Sequence, residues 1–183
     1  VVHGCTGQIF FCMTAAMALF CSRRWKTAPA AIESADAARV QRQCIVVTLA
    51  VFGQVILGAW YRHLGSLLLW HIFGALVVTV LSAALTLRIL AGHKPLKLMT
   101  IPVHILAALV VFELMVGPFA WFLTAGYNDD RTATLGEWLV PTVHQVLGAL
   151  ALISAVLTAL GAYRCLKVGP ANAVVPTGES AAA

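Results

Sequence analysis

The sequence predicts an all-α fold, a polytopic transmembrane helical bundle of five spans whose last four form an up-and-down four-helix bundle. Three observations carry this. Hydrophobic residues make up 61% of the 183-residue chain and charged residues only 10%, whereas soluble domains run near 25% charged. The mean hydropathy of +0.90 also excludes disorder, which requires a chain poor in apolar residues. The apolar residues gather into runs that match the roughly 20 residues needed to cross a bilayer. In lipid such runs are helical, because the hydrocarbon offers backbone N–H and C=O groups no other partner. The net charge of +5 fits basic loops on one membrane face, so no nucleic-acid partner is expected.

The first run, Val2 to Ser22, opens at the chain start with Val1-Val2-His3. Residues 1–22 are therefore expected to be the last helix of a truncated N-terminal half. No basic region precedes the run, so it lacks the pattern of a signal peptide. Residues 23–43 are polar and Ala-rich, with Arg23, Arg24, Lys26, Arg39 and Arg42, and are expected to be a cytoplasmic-side loop. Residues 44–167 hold four further runs: Cys44 to Tyr61, Leu67 to Leu90, Leu98 to Thr124, and Pro141 to Leu166. The short connections Arg62–Ser66 and Gly92–Lys97 make neighbouring helices antiparallel. Residues 168–183 are rich in Gly, Pro, Ala and Ser and are expected to be a disordered tail.

Orientation follows from Lys and Arg. With the first loop inside, the inner face holds Arg23, Arg24, Lys26, Arg39, Arg42, Arg88, Lys94, Lys97, Arg164 and Lys167, and the outer face only Arg62 and Arg131. This is a positive-inside split. Trp60, Trp70, Trp121 and Trp138 then fall near the outer boundary and Trp25 near the inner one, as an aromatic belt requires.

The histidines are the most informative polar residues. His3, His71 and His144 each lie near the outer start of a span that runs inward. His71 follows Leu67 by four residues and His144 follows Pro141 by three, which puts both about 5 Å below the outer helix ends. Polar rings facing lipid are costly, so these side chains are expected to point inward. Two imidazoles at equal depth can face each other across a flat cofactor. Imidazole is an axial ligand of haem iron, and a pair gives a six-coordinate, low-spin centre suited to electron transfer. Gly74 and Gly148, one turn below the two histidines, are expected to leave room for a macrocycle edge, and Gly7 follows His3 in the same way. Small residues also serve helix packing.

Arg62 and His63 in the outer turn are candidate donors to haem propionates or a substrate carboxylate. Glu113 is an intramembrane carboxylate, either a proton carrier or counter-ion or a protonated group bonded between helices. His93 is expected to be solvated in the inner loop and His104 to pack between helices. The five cysteines, Cys5, Cys12, Cys21, Cys44 and Cys165, include no C-x-x-C pair, which excludes c-type haem attachment. No Cys cluster favours zinc.

Several segments resemble the haem A synthases, membrane enzymes of cytochrome oxidase assembly. Gln54-Val-Ile-Leu-Gly58-Ala-Trp-Tyr-Arg62-His63-Leu-Gly65 resembles that family's helix-to-loop motif. Val143-His144-Gln-Val-Leu-Gly148-Ala-Leu resembles the start of its last helix, and His3-Gly4 with Gly7-Gln8 the start of its fourth. The resemblance spans residues 1–167. It implies eight helices in two four-helix halves, with haem b in the C-terminal half and oxidation of haem o to haem a, at a methyl group, in the N-terminal half. On this match His71 and His144 are the haem b ligands. His3 is the surviving member of the N-terminal pair, and with it a metal ligand and a catalytic candidate. A haem o-producing farnesyltransferase and a quinone or other electron donor are the implied partners besides the bilayer, and a homo-oligomer is compatible. The family's Glu-x-x-His helix is not in this chain, and Glu113 does not match that glutamate. The outer-loop Cys pair common in the family is also missing. This chain alone is therefore expected to bind haem without converting haem o.

Two other readings compete. A transmembrane b-type cytochrome that only transfers electrons often carries a second, inner His pair, and here that side offers only His93 and His104. A haem-free oxidase assembly scaffold leaves the matched histidine depths unexplained. The predicted orientation is checked by cysteine labelling in a background without the native cysteines. Ser66→Cys should react with an impermeant maleimide on intact cells, and Ala30→Cys only after permeabilisation.

Overall fold

The computed structural model describes residues 1–93, 95–124, 132 and 134–169. Its elements are α1 (Val2–Cys21), α2 (Arg23–Lys26), β1 (Ile32–Ser34), α3 (Ala37–Leu64), α4 (Leu68–Gly92), α5 (Lys97–Thr124), α6 (Leu135–Cys165) and β2 (Leu166–Val168). Five of the helices are long and apolar enough to cross a membrane. The chain is thus an integral membrane protein with an all-α, five-span fold. Its exposed apolar side chains, such as Phe10, Leu69, Val80, Leu87 and Phe122, are the surface such a fold presents to lipid.

Four helices close into a bundle. α3 packs on α4, α4 on α5, α5 on α6, and α6 back on α3. α4 and α6 therefore stand at opposite corners. α1 lies outside, mainly against α6, and buries none of its residues.

The core is concentrated toward the end of the bundle that carries the N-terminus of α3. Val40, Cys44, Val47, Leu85, Ile89, Met99, Val103, Leu106, Ala155 and Ala162 are essentially buried or nearly so and form one cluster. At that end α5 and α6 come closest. Pro102, inside α5, has no N–H to give to the carbonyl four residues back. That carbonyl is Leu98 O, and Gly161 of α6 rests against it. A side chain at 161 would collide with the Leu98 backbone, so glycine is required here by proximity rather than by its own backbone angles.

Two boundaries differ from the sequence reading. α3 begins at Ala37, not at Cys44, so the polar segment 23–43 is shorter than expected and partly helical. Arg88 of α4 donates to Asp36 at 3.0 Å, which ties the end of α4 to the start of α3. α6 begins at Leu135, not at Pro141. The Glu137 carboxylate accepts the N–H of Thr134 at 2.7 Å, half of a capping box that starts the helix before the proline. Pro141 sits within the second turn and has no N–H to give to the carbonyl four residues back, yet the helix runs through it.

The segment before α3 is not a free loop. β1 pairs in parallel with β2, Ile32 with Leu166 and Ser34 with Val168. Gln41 donates to Leu166 O at 3.0 Å, and Arg164 donates to the carbonyls of Ala28 and Pro29 at 3.1 and 3.2 Å. Val168 is therefore strand rather than tail, and Gly169 N–H continues the pairing to Ser34 O. The rest of the expected tail, 170–183, and the loop charges Lys94, Asp129, Asp130 and Arg131 lie outside the described residues.

The packing at Gly161 makes a direct test. Gly161→Ala should lower stability by about 1–3 kcal/mol, the usual cost of overpacking. Gly53→Ala, whose new methyl meets nothing within 4 Å, should leave it unchanged or slightly raised. Thermal unfolding of the two purified variants in the same detergent compares them.

Candidate functional site

Away from the buried core, the diagonal between α4 and α6 is bridged by two imidazoles. His71 lies on the first turn of α4, about 4.5 Å from its start at Leu68, and His144 lies about 13.5 Å along α6 from Leu135. The expected equal distance from the helix ends is thus wrong, because α6 starts earlier than its apolar run. The histidines nonetheless meet. Their ring centroids are 6.2 Å apart and their planes stand at 89°.

Each ring is held from behind by a polar side chain on the preceding helix. Gln54 of α3 places Nε2 3.1 Å from His71 Nδ1 and donates to the His71 carbonyl at 2.8 Å. Glu113 of α5 places Oε2 2.5 Å from His144 Nδ1. This contact is short but off the N–H direction, so Nδ1 lacks a well-aligned hydrogen bond. Gln54 Oε1 and Glu113 Oε1 are buried without partners. The rings also rest on glycines four residues further along the same helices. A methyl at Gly58 would come within 2.9 Å of His71 Cε1, and one at Gly117 within 3.4 Å of His144 Cε1.

The space below His71 is taken from the neighbouring helix: a methyl at Gly74 would collide with the Gln54 amide, so that glycine is the notch that admits Gln54. A methyl at Gly148 would meet Glu113 Oε1 at 3.8 Å, an ordinary contact, so that position has room for one more carbon.

The other candidates are placed as follows. His3 is exposed on the first turn of α1, and nothing lies within 4 Å of a methyl at Gly7. Arg62 donates to Gln145 Oε1 of α6 at 2.9 Å, one residue from His144, while His63 is exposed. His93 is buried, 5% exposed, with Nδ1 unpartnered. It caps α4 and is not the solvated loop residue expected. His104 is exposed, with Nδ1 2.6 Å from Thr100 O on its own helix, and does not pack between helices. The five cysteines are free. Sequence reasoning missed Gln54 as a site residue, and for Glu113 it missed the partner. The shared i, i+4 spacing of Gln54-Gly58 and Glu113-Gly117 was the available signal.

These residues fit a pair of axial ligands. Two imidazoles on opposite sides of one metal ion, bonded at about 2 Å each, put their ring centroids about 6 Å apart. A ligating histidine offers one nitrogen to the metal and its other N–H to a carboxylate, carbonyl or amide. Here both Nδ1 atoms face such groups, which leaves both Nε2 atoms for a ligand. For His71 this needs the proton on Nδ1. As placed, Gln54 directs Nε2 at both that atom and the His71 carbonyl; the opposite amide orientation would let Oε1 accept the proton at the loss of the bond to the carbonyl. No group of three or more His, Cys, Asp or Glu that could hold a metal ion occurs among the described residues, so a zinc-type cluster finds no support there. No family model, curated protein or solved structure matches the chain.

The two glycines under the rings differ in tightness. Gly58→Ala must push His71, which Gln54 already holds, and should cost about 1–3 kcal/mol. Gly117→Ala meets a looser contact and should cost less. Thermal unfolding of both variants gives the ranking.

Proposed function

We propose that this chain is the haem b-binding part of a haem A synthase-like membrane oxidoreductase, with His71 and His144 as the residues that would hold the haem iron. The observation that carries the reading is the facing pair of imidazoles at 6.2 Å, each backed at Nδ1 by a polar side chain. The motifs around Gln54–Gly65 and His144–Gly148 support it from the sequence side. Haem held there supplies one-electron transfer. Gln54 and Glu113 orient the two imidazoles, and Gly58 and Gly117 let the rings lie against their helices. Arg62, fixed to Gln145 beside His144, is a donor for a propionate at the outer surface.

In this reading the chain sits in a bacterial inner membrane with residues 23–43 cytoplasmic and the histidine pair toward the outer face. The oxidation of haem o to haem a belongs to the full-length enzyme, where His3 joins the other half of the catalytic site. A haem o-producing farnesyltransferase would supply the substrate, and a quinone or other electron donor would be the redox partner. The same histidine geometry supports a b-type cytochrome that only transfers electrons; conversion of haem o by the full-length enzyme separates the two.

A reduced-minus-oxidised spectrum with pyridine haemochromogen analysis tests the site. The purified chain should show a low-spin b-type signal near one haem per chain, and His71→Ala and His144→Ala should each abolish it. Well-folded protein with no haem signal, or an unchanged spectrum in both variants, overturns the assignment and brings the scaffold reading forward.

A further inference from the structure

We infer that α3–α4 and α5–α6 are two copies of one ligand-bearing hairpin, and that the Gln54/Glu113 difference between them makes the two histidines unequal, with Glu113 the positioning residue that sets the redox potential of the bound group. The inference rests on the bis-histidine reading above.

The repeat is visible residue by residue. In the first hairpin Gln54 reaches Nδ1 of His71, Gly58 supports the ring at Cε1, and Gly74 admits the Gln54 side chain. In the second, Glu113 reaches Nδ1 of His144, Gly117 supports the ring at Cε1, and Gly148 faces the Glu113 side chain. The order along the chain is the same: polar group, glycine four residues on, helix connection, histidine, glycine three or four residues later. The two rings meet on the diagonal of the bundle, one from each hairpin.

The copies differ in one chemical respect. Gln54 is a neutral amide and Glu113 a carboxylate. Behind a ligating imidazole, a carboxylate draws the Nδ1 proton and makes the ring a stronger donor than an amide does. Glu113 as an anion would also favour the more positive, oxidised state of an iron held by His144. Both effects lower the midpoint potential, and both enter through His144 alone. Burial of the pair strengthens them, since water screens them less.

The test is a charge swap, read by redox titration of the haem-loaded chain at one fixed pH. Glu113→Gln should raise the midpoint potential, and Gln54→Glu should lower it. The double variant Gln54→Glu/Glu113→Gln, which exchanges the copies, should return close to the parent value. All three should keep a low-spin spectrum. A purely structural role predicts no opposed shifts and no recovery in the double variant. If Glu113→Gln loses its haem, Glu113→Asp keeps the carboxylate and should hold both the haem and the parent potential; failure of that variant overturns the inference. Unmoved potentials in haem-loaded single variants overturn it while leaving the bis-histidine reading intact. A parent chain that takes up no haem overturns that reading and this inference with it.

Discussion

A polar group inside the apolar part of this bundle has only protein to bond to, and that constraint organises the molecule. Unpaired polar groups in hydrocarbon cost several kcal/mol each. Hydroxyls meet it locally: Thr48, Thr79, Thr86, Ser154 and Thr158 each donate to the carbonyl four residues back. Gln54 meets it in part across helices, by donating to the His71 carbonyl, and Glu113 stands beside His144 as a carboxylate–imidazole pair. Gln54 Oε1, Glu113 Oε1 and His144 Nδ1 stay without a hydrogen-bond partner, which sets this cluster apart from the hydroxyls.

The two ends of the bundle divide the work. Around Val47, Leu85, Met99 and Leu106 the packing is dense and apolar, and Gly161 lets α5 and α6 approach to backbone contact. The Asp36–Arg88 pair and the β1–β2 pairing add polar fastening on that side. Toward the other end, small residues and half-exposed polar groups replace large apolar ones.

The fold and its spans were legible in the amino-acid sequence. So was the special standing of His71, His144 and Glu113, because ionisable and aromatic polar residues are rare in apolar runs and stand out there. The helix ends were less so. Pro141 looked like a start, yet Thr134 and Glu137 form a cap before it, and the helix continues through the proline. The strand at residues 32–34 carried no signal, since its partner lies over a hundred residues away and only the fold brings them together.

What the sequence determined by itself was the all-α, five-span architecture, because chain length in an apolar run and the absence of water in a bilayer leave helix as the only outcome. Tertiary structure alone decided which polar groups meet. His71 and His144 sit at different distances from their helix starts, and they face each other only because α4 and α6 occupy opposite corners and α6 begins early. Gln54 and Glu113 came to face those rings, and Gly74 became the notch for Gln54, through helix-to-helix register. Register is set by side-chain packing between helices, a property of pairs of surfaces that no single run of residues contains.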